Sequence, residues 1–281
     1  MPAPPAVPDS ANYLGRLLTL VWLSLAQLVR APSHSRRAEA ARRSARHVLL
    51  LMVILGAAII TLMYALDVAE ISMMPPRDTP GLWWVKKVTN FGKDEYVLSV
   101  LGGLLIAVAL AAPALRGTSR MALLGLGIRL QYLFLSVALS VTAGELLKWI
   151  VGRGRPFVGG KANAFNFQHF NGTEAYSSLP SGHAITAFAL AFAVSAVWPR
   201  LRIAMLVYAL IIAATRLVLL AHHPSDVVAG ALVGVIGAMA VRYWFAARRL
   251  GFAIRQDGTV MALSGPPEGH LKRVARTAFA P

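Results

Sequence analysis

Three short segments of this chain combine cations, histidines and a carboxylate in an otherwise apolar sequence. Residues 148–156 read KWIVGRGRP, residues 180–183 read PSGH, and residues 216–226 read RLVLLAHHPSD. The candidate residues that they supply are Lys148, Arg155, Ser181, Gly182, His183, Arg216, His222 and Asp226. Cations around a helix start, together with two titratable rings, are the groups that phosphoryl transfer requires.

The cations and the glycine predict a phosphate-binding pocket. Lys148, Arg155 and Arg216 would stabilise the negative charge that develops on a transferring phosphoryl group. Ser181 and Gly182 precede an apolar run, so they predict a helix start whose free N–H groups and positive dipole end bind an anion. The glycine lets that anion approach the backbone closely.

The two motif histidines predict a nucleophile and an acid–base group. His222 and Asp226 are four residues apart, so on a helical turn the carboxylate can hold one ring nitrogen and leave the other free to attack phosphorus. His183 would protonate the leaving group and then activate the water that hydrolyses a phosphohistidine. Such a scheme needs neither a metal nor another cofactor.

Three neighbouring residues receive lesser roles. Only His222 satisfies the spacing to both Arg216 and Asp226, so His223 is expected at the surface or against the substrate. Glu145 lies one helical turn before Lys148 and is expected to form an ion pair with it. Arg153 occupies a spacer position and is a weaker candidate for the phosphate.

The composition indicates which elements hold these segments. The chain has 281 residues, of which 57% are hydrophobic and 14% charged, which is too apolar for a soluble domain with a solvated surface. About 20 apolar residues cross the hydrocarbon as a helix. Six such stretches predict an all-α, polytopic membrane protein with one bundle of six transmembrane helices, at residues 47–67, 97–115, 130–148, 184–198, 203–221 and 227–246. Six crossings bring the three segments to one end of the bundle.

The distribution of charge predicts the orientation. A net charge of +16 can indicate nucleic-acid binding, but most Lys and Arg residues fall in the termini and in two connections on one side. This positive-inside pattern predicts cytoplasmic termini and an active site at the non-cytoplasmic end, facing the periplasm or exterior of an inner (plasma) membrane. It argues against nucleic acid as a partner. The absence of cysteine excludes disulfides and Cys-ligated metals.

Three regions are expected along the chain. Residues 1–46 form a basic N-terminal segment, in which residues 17–29 are too short to span a membrane; an amphipathic surface helix and an unstructured tail both remain open. Residues 47–247 form the membrane domain. Residues 248–281 are expected to be a mobile, basic cytoplasmic tail.

The spacings K-x6-R-P, P-S-G-H and R-x5-H-x3-D resemble the three motifs of the type 2 phosphatidic acid phosphatase (PAP2) superfamily, over roughly residues 47–246. The resemblance implies a six-helix membrane phosphatase that needs no metal and forms a phosphohistidine intermediate. It supports His222 as nucleophile, Asp226 as its orienting partner and His183 as acid and base. The third motif usually begins Ser-Arg, and here Thr215 precedes Arg216, so a hydroxyl is retained.

The expected substrates are lipid-linked phosphates within the membrane. Undecaprenyl diphosphate, phosphatidylglycerol phosphate, phosphatidate and the phosphate of lipid A all remain open, and neither protein partners nor oligomeric state is predicted. An alternative function is lipid-headgroup binding or transport through the same cationic pocket. A transport path would place polar groups near the bilayer midplane, whereas most of them cluster at one end here. Oxidative enzymes that bind vanadate in a similar pocket are soluble, unlike this chain.

Overall fold

The computed structural model describes residues 12–76, 79–160, 162–255 and 257–263, which form a helical bundle and one small hairpin. The helices in these ranges are α1 (Tyr13–Val29), α2 (His34–Ala65), α3 (Asp67–Met73), α4 (Trp83–Thr89), α5 (Asp94–Ala111), α6 (Gly117–Val151), α7 (Gly182–Val197), α8 (Arg202–Val218) and α9 (Pro224–Arg248). The strands are β1 (Phe252–Ile254) and β2 (Val260–Ala262). The protein is therefore an all-α polytopic membrane protein, as predicted.

Five of the six predicted spans lie in helical segments that are long and apolar enough to cross a membrane. These are α2, α5 with the turn that follows it (Asp94–Ala114), α6, α8 with the turn that precedes it (Pro199–Val218) and α9. The sixth, α7, has only 16 residues and is about 24 Å long, shorter than a typical span. It lies among α6, α8 and α9, and Ala184, Ala187, Ala189 and Ala193 along it are fully buried. The chain that leads into α7 is also sheltered by protein, since Ser178, Pro180 and Ser181 are buried.

Helices cover much of the chain before residue 47, where the first span was predicted to begin. Helix α2 begins at His34, so the basic stretch before residue 47 continues directly into the first span. Residues 17–29 lie in α1, whose N-cap Asn12 accepts a hydrogen bond from Gly15 N at 2.9 Å. Tyr13 Oη donates to Leu110 O at 2.7 Å, and Trp244 Nε1 donates to Leu28 O at 3.0 Å. Of the two alternatives for this segment, the structure has the helix.

The expectation of a mobile tail from residue 248 is wrong for its first part. Strands β1 and β2 form an antiparallel hairpin that pairs Ala253 with Met261. Phe252 is buried against Tyr132, with ring centroids 4.7 Å apart. The two short apolar strands pack on the bundle. The prediction of a mobile tail rested on the polar composition of residues 248–281 as a whole and did not recognise these strands. The rest of the predicted tail, residues 264–281, lies outside the described residues.

Close packing of α9 against α7 fixes the position of the segments that carry the candidate residues. A Cβ atom at Gly230 would lie 2.6 Å from Ser181 O, and one at Gly234 would lie 2.5 Å from Ile185 O. Both contacts are with backbone, which cannot move aside as a flexible side chain can. Glycine is therefore required at both positions, since any side chain would push α7 away from α9.

We predict that Gly234→Ala lowers stability by about 1–3 kcal/mol through overpacking, or roughly 2–4 °C in melting temperature for each kcal/mol. Gly103→Ala is the matched control, because a Cβ at Gly103 meets no atom within 4 Å and alanine is the better helix former. Thermal unfolding in detergent, followed by tryptophan fluorescence, measures both. Equal melting temperatures for the two variants would contradict the close helix contact.

Candidate active site

The three candidate segments meet at one end of the bundle. Lys148 lies in the last turn of α6, which ends at the left-handed Gly152 (φ 58°). Ser181 is the N-cap of α7, and its N–H donates to Asp226 O, in the first turn of α9, at 3.0 Å. Arg216 is in the last turn of α8, and His222 and His223 connect α8 to α9. The predicted convergence is therefore present in the structure.

A cavity of about 220 Å³ lies where these segments meet. Six of the eight candidate residues line it: Lys148, Arg155, Gly182, His183, Arg216 and His222. The other two, Ser181 and Asp226, are fully buried and are not among the lining residues. Ser181 Oγ has no hydrogen-bond partner among the described residues. Three acidic residues also line the cavity, Asp94, Glu145 and Glu174, of which only Glu145 had been singled out in the sequence.

Each of the three cations in the cavity is oriented by a polar neighbour. Lys148 Nζ lies 2.5 Å from Glu145 Oε1, which confirms the predicted ion pair. Arg155 Nη2 lies 3.3 Å from Glu174 Oε1. Since Glu174 is largely exposed, this second pair adds little stability, and an arriving anion can replace the carboxylate.

Arg216 is held from a helix that the motifs do not include. Its Nη1 donates to Thr89 Oγ1, at the end of α4, at 2.9 Å. Thr215 Oγ1 donates to the same hydroxyl at 3.0 Å, so the hydroxyl that replaces the usual serine helps to place Thr89. Arg216 Nε is buried and has no acceptor among the described residues. That unused donor suits an oxyanion in the cavity.

His222 presents one nitrogen for chemistry because the other is occupied. Its Nδ1 lies 2.8 Å from Ser178 O, and a carbonyl can only accept, so Nδ1 carries the proton and Nε2 keeps its lone pair. Burial, followed by the positive charge of Arg216, lowers the pKa of His222 well below its ordinary value. The ring is therefore neutral at pH 7, which is the form that a nucleophile needs.

The structure differs from the predicted role of Asp226 as the direct partner of His222. Asp226 Oδ2 is 3.9 Å from His222 Nδ1. That oxygen instead accepts from Ser178 Oγ at 2.6 Å and from His223 N at 2.9 Å. The prediction assumed that a helical turn includes His222, but α9 begins at Pro224. Asp226 therefore acts on His222 through Ser178, whose carbonyl contacts the ring.

His223 is fully buried, so its predicted surface or substrate-contacting position is wrong. It is the N-cap of α9 and forms a capping box with Asp226. Adjacent histidines thus occupy different environments, since His222 lines the cavity and His223 closes the helix end behind it.

Arg153 is a buried structural cation and not a ligand of the cavity. Its side chain is fully buried. It donates from Nη1 to Asp226 Oδ1 at 2.6 Å and from Nη2 to Asp67 Oδ2 at 2.7 Å. It also donates to Ala164 O, at 2.7 Å from Nη2. Asp67 in turn accepts from Ser225 N at 3.0 Å. We call Asp67, Arg153, Ser225, Asp226 and Ser178 the buried network.

A third carboxyl group lies beside the buried network. Glu70 is buried, and both of its carboxyl oxygens lack hydrogen-bond partners among the described residues. Burial, followed by the negative charges of Asp67 and Asp226, raises the pKa of Glu70 to about 7. The buried network therefore holds one cation between two carboxylates. Glu70, beside the network, stays largely protonated below neutral pH.

Sequence reasoning missed Asp67, Ser178 and Thr89. Asp67 is the last residue of a predicted span, where a carboxylate looks like an ordinary headgroup-level residue. Ser178 and Thr89 belong to connections without a recognisable spacing. The one available signal was Arg153, because a second arginine between Lys148 and Arg155 calls for a buried carboxylate somewhere in the chain.

Comparison with known proteins agrees with this geometry. The sequence model of the PAP2 superfamily matches residues 129–250, which include every candidate residue. The chain is 36% identical over 147 residues to a lipid A 1-phosphatase of Rhizobium johnstonii, covering 52% of this chain and 57% of that protein. It is 36% identical over 131 residues to a lipid A 1-phosphatase of Rhizobium etli, covering 47% and 56%. The chain thus matches a little over half the length of these relatives. No solved structure gives a significant match.

We predict that Asp67→Asn slows turnover although Asp67 is remote from the cavity. Loss of one carboxylate leaves Arg153 with Asp226 as its only described ionic partner, and breaking a buried ion pair costs about 3 kcal/mol or more of stability. Turnover should fall roughly tenfold to a hundredfold, with KM nearly unchanged because the cations of the cavity remain in place.

Asp257→Asn is the control, since Asp257 lies in the exposed hairpin turn. This variant should change neither turnover nor stability. Steady-state kinetics on a lipid phosphate and melting temperature are both needed. If Asp67→Asn kept wild-type turnover and stability, the buried network would not be what positions the candidate residues.

Proposed function

Because the PAP2 superfamily model matches residues 129–250, we propose that the chain is a PAP2-type phosphatase, which hydrolyses a lipid-linked phosphate through a phosphohistidine at His222. The observation that supports this most directly is the hydrogen bond from His222 Nδ1 to Ser178 O. It leaves Nε2 of a neutral ring in a cavity that three cations line.

The residues of the cavity can carry out both halves of the reaction. Burial, followed by the positive charge of Arg216, lowers the pKa of His183 to about 3, so this ring must first take a proton from the bound phosphate monoanion. In the first half, His222 Nε2 attacks phosphorus, the bond to the lipid oxygen breaks, and His183 passes that proton to the oxygen. In the second half, His183 takes a proton from water, the resulting hydroxide attacks phosphorus, and the bond to His222 breaks to release phosphate. The sum consumes one water and regenerates both rings.

Positive charge for the transition state comes from this chain's own residues. Lys148, Arg155 and Arg216 surround the cavity, and α7 starts there with Gly182 in its first turn. A helix start adds backbone N–H donors and a positive dipole end. These groups serve the purpose that a metal ion serves in other phosphatases, so we propose that activity needs no metal.

The lipid A 1-phosphatase relatives make the 1-phosphate of lipid A the first substrate to examine. Such a substrate is a phosphate on a membrane-embedded sugar lipid, which suits a cavity at the end of a membrane bundle. We further propose that the cavity faces the non-cytoplasmic side of an inner membrane. The clustering of arginines at the other end of the bundle supports this orientation.

The test compares His222→Asn with His223→Asn in a chelating buffer, by phosphate release from lipid A. Asparagine at 222 can still donate to Ser178 O but cannot attack phosphorus, so activity should fall by about 10³-fold or more. Asparagine at 223 is a good N-cap, so activity should stay within about tenfold of wild type.

Two outcomes would contradict the proposal. Greater loss in His223→Asn than in His222→Asn would show that the wrong ring was chosen. Tight binding of the lipid without any phosphate release by wild type would favour the alternative of a headgroup-binding or transport protein. Phosphatidate and undecaprenyl diphosphate assayed in parallel measure the substrate preference.

A further inference from the structure

A second and larger cavity lies at the opposite end of the bundle. Its volume is about 580 Å³, and it lies between the ends of α6, α7, α8 and α9, with the hairpin as one wall. Three arginines line it: Arg129, Arg202 and Arg242. Along α6, Arg129 is 19 residues before Lys148 of the candidate active site, which corresponds to about 28 Å. The arginine cavity is therefore separate from the catalytic one.

The charges of the arginine cavity are unbalanced. None of its lining residues in the described part of the chain is Asp or Glu. Arg129 is half-buried and makes no hydrogen bond or ion pair with any other described residue. Arg242 donates to Val260 O, but its buried Nε has no acceptor among the described residues. Partly buried cations in a membrane protein usually have an anionic partner, because desolvation without one is costly.

Apart from Ser195, the remaining residues that line the arginine cavity are apolar. Phe192, Val197, Met261 and Leu263 are among the residues that line it. The ring of Phe192 also lies 5.9 Å from the Arg242 guanidinium, which keeps that cation in place. A free inorganic anion would match the arginines alone. A phosphate joined to an apolar tail would match both kinds of wall.

We propose that the arginine cavity binds the phosphate group of an anionic phospholipid, in the leaflet opposite the candidate active site. The arginines would contact the phosphodiester, and the apolar walls would contact the glycerol and the first part of the acyl chains. Because residues 260–263 form one wall, a bound lipid would join the hairpin to the helices. Binding should therefore raise the melting temperature of the protein.

The experiment measures the melting temperature of the full chain in neutral detergent. Phosphatidylglycerol, phosphatidylcholine with the same acyl chains, or inorganic phosphate is added at matched concentrations. We expect phosphatidylglycerol to raise the melting temperature, phosphatidylcholine to leave it nearly unchanged, and inorganic phosphate to cause no shift that depends on Arg129 and Arg202. An equal shift with phosphatidylcholine would overturn the role of charge. An equal shift with inorganic phosphate that Arg129→Gln/Arg202→Gln loses would show an anion site that is not a lipid site.

Variants assign the shift to this cavity. The double variant Arg129→Gln/Arg202→Gln should lose at least half of the shift in melting temperature that phosphatidylglycerol causes. The control is Arg116→Gln/Arg120→Gln, which changes two arginines at the same end outside the cavity lining. It should keep the whole shift. Arg202→Gln alone, at an exposed residue, provides a partial loss should the double variant fold poorly. A full shift in the first pair would overturn the proposal.

Phosphate release by the same variants keeps the two proposals apart. Neither pair lies in the candidate active site, so activity on a lipid phosphate should match wild type in short assays. Loss of the lipid shift with normal activity supports the arginine cavity alone. Wild-type protein that shows the lipid shift without hydrolysis would contradict the proposed enzymatic function and leave the arginine cavity intact.

Discussion

A buried guanidinium held between two carboxylates determines how the end of the bundle with the candidate active site is built. Arg153 joins Asp67, which follows the first long helix, to Asp226, in the first turn of the last one. It also holds the intervening loop through Ala164 O. Any one of these charges would be costly to bury alone. The end of the first span, the long loop and the start of α9 must therefore assemble together.

That assembly separates groups that line the cavity from groups that hold the structure. Arg153 has its hydrogen bonds filled within the buried network, whereas Arg216 keeps a buried donor that no described residue uses. The adjacent histidines divide in the same way. His223 caps a helix behind the cavity, and His222 lines the cavity with one nitrogen held by Ser178 O. Neighbouring residues of one type thus differ because their surroundings differ.

The motifs predicted six of the residues that line the cavity, because three ordered motifs at the ends of apolar stretches are brought together when those stretches cross the membrane as helices. They did not predict Asp67, since no spacing relates it to Arg153, 86 residues away. Assuming a helical turn at His222 gave the wrong direct partner, because Pro224 starts α9 only after that residue. Hydropathy found the long spans, but it placed α7 among them and gave no sign of the hairpin, whose strands are only three residues each.

The most direct test of this account is to trap the enzyme during turnover. Protein mixed with lipid carrying ³²P in its phosphate group is quenched within milliseconds, and the label on the protein is characterised. We predict an acid-labile, alkali-stable phosphate that persists in His223→Asn and is absent from His222→Asn. Label that persists in His222→Asn, or rapid hydrolysis without any labelled protein, would contradict a phosphohistidine at residue 222.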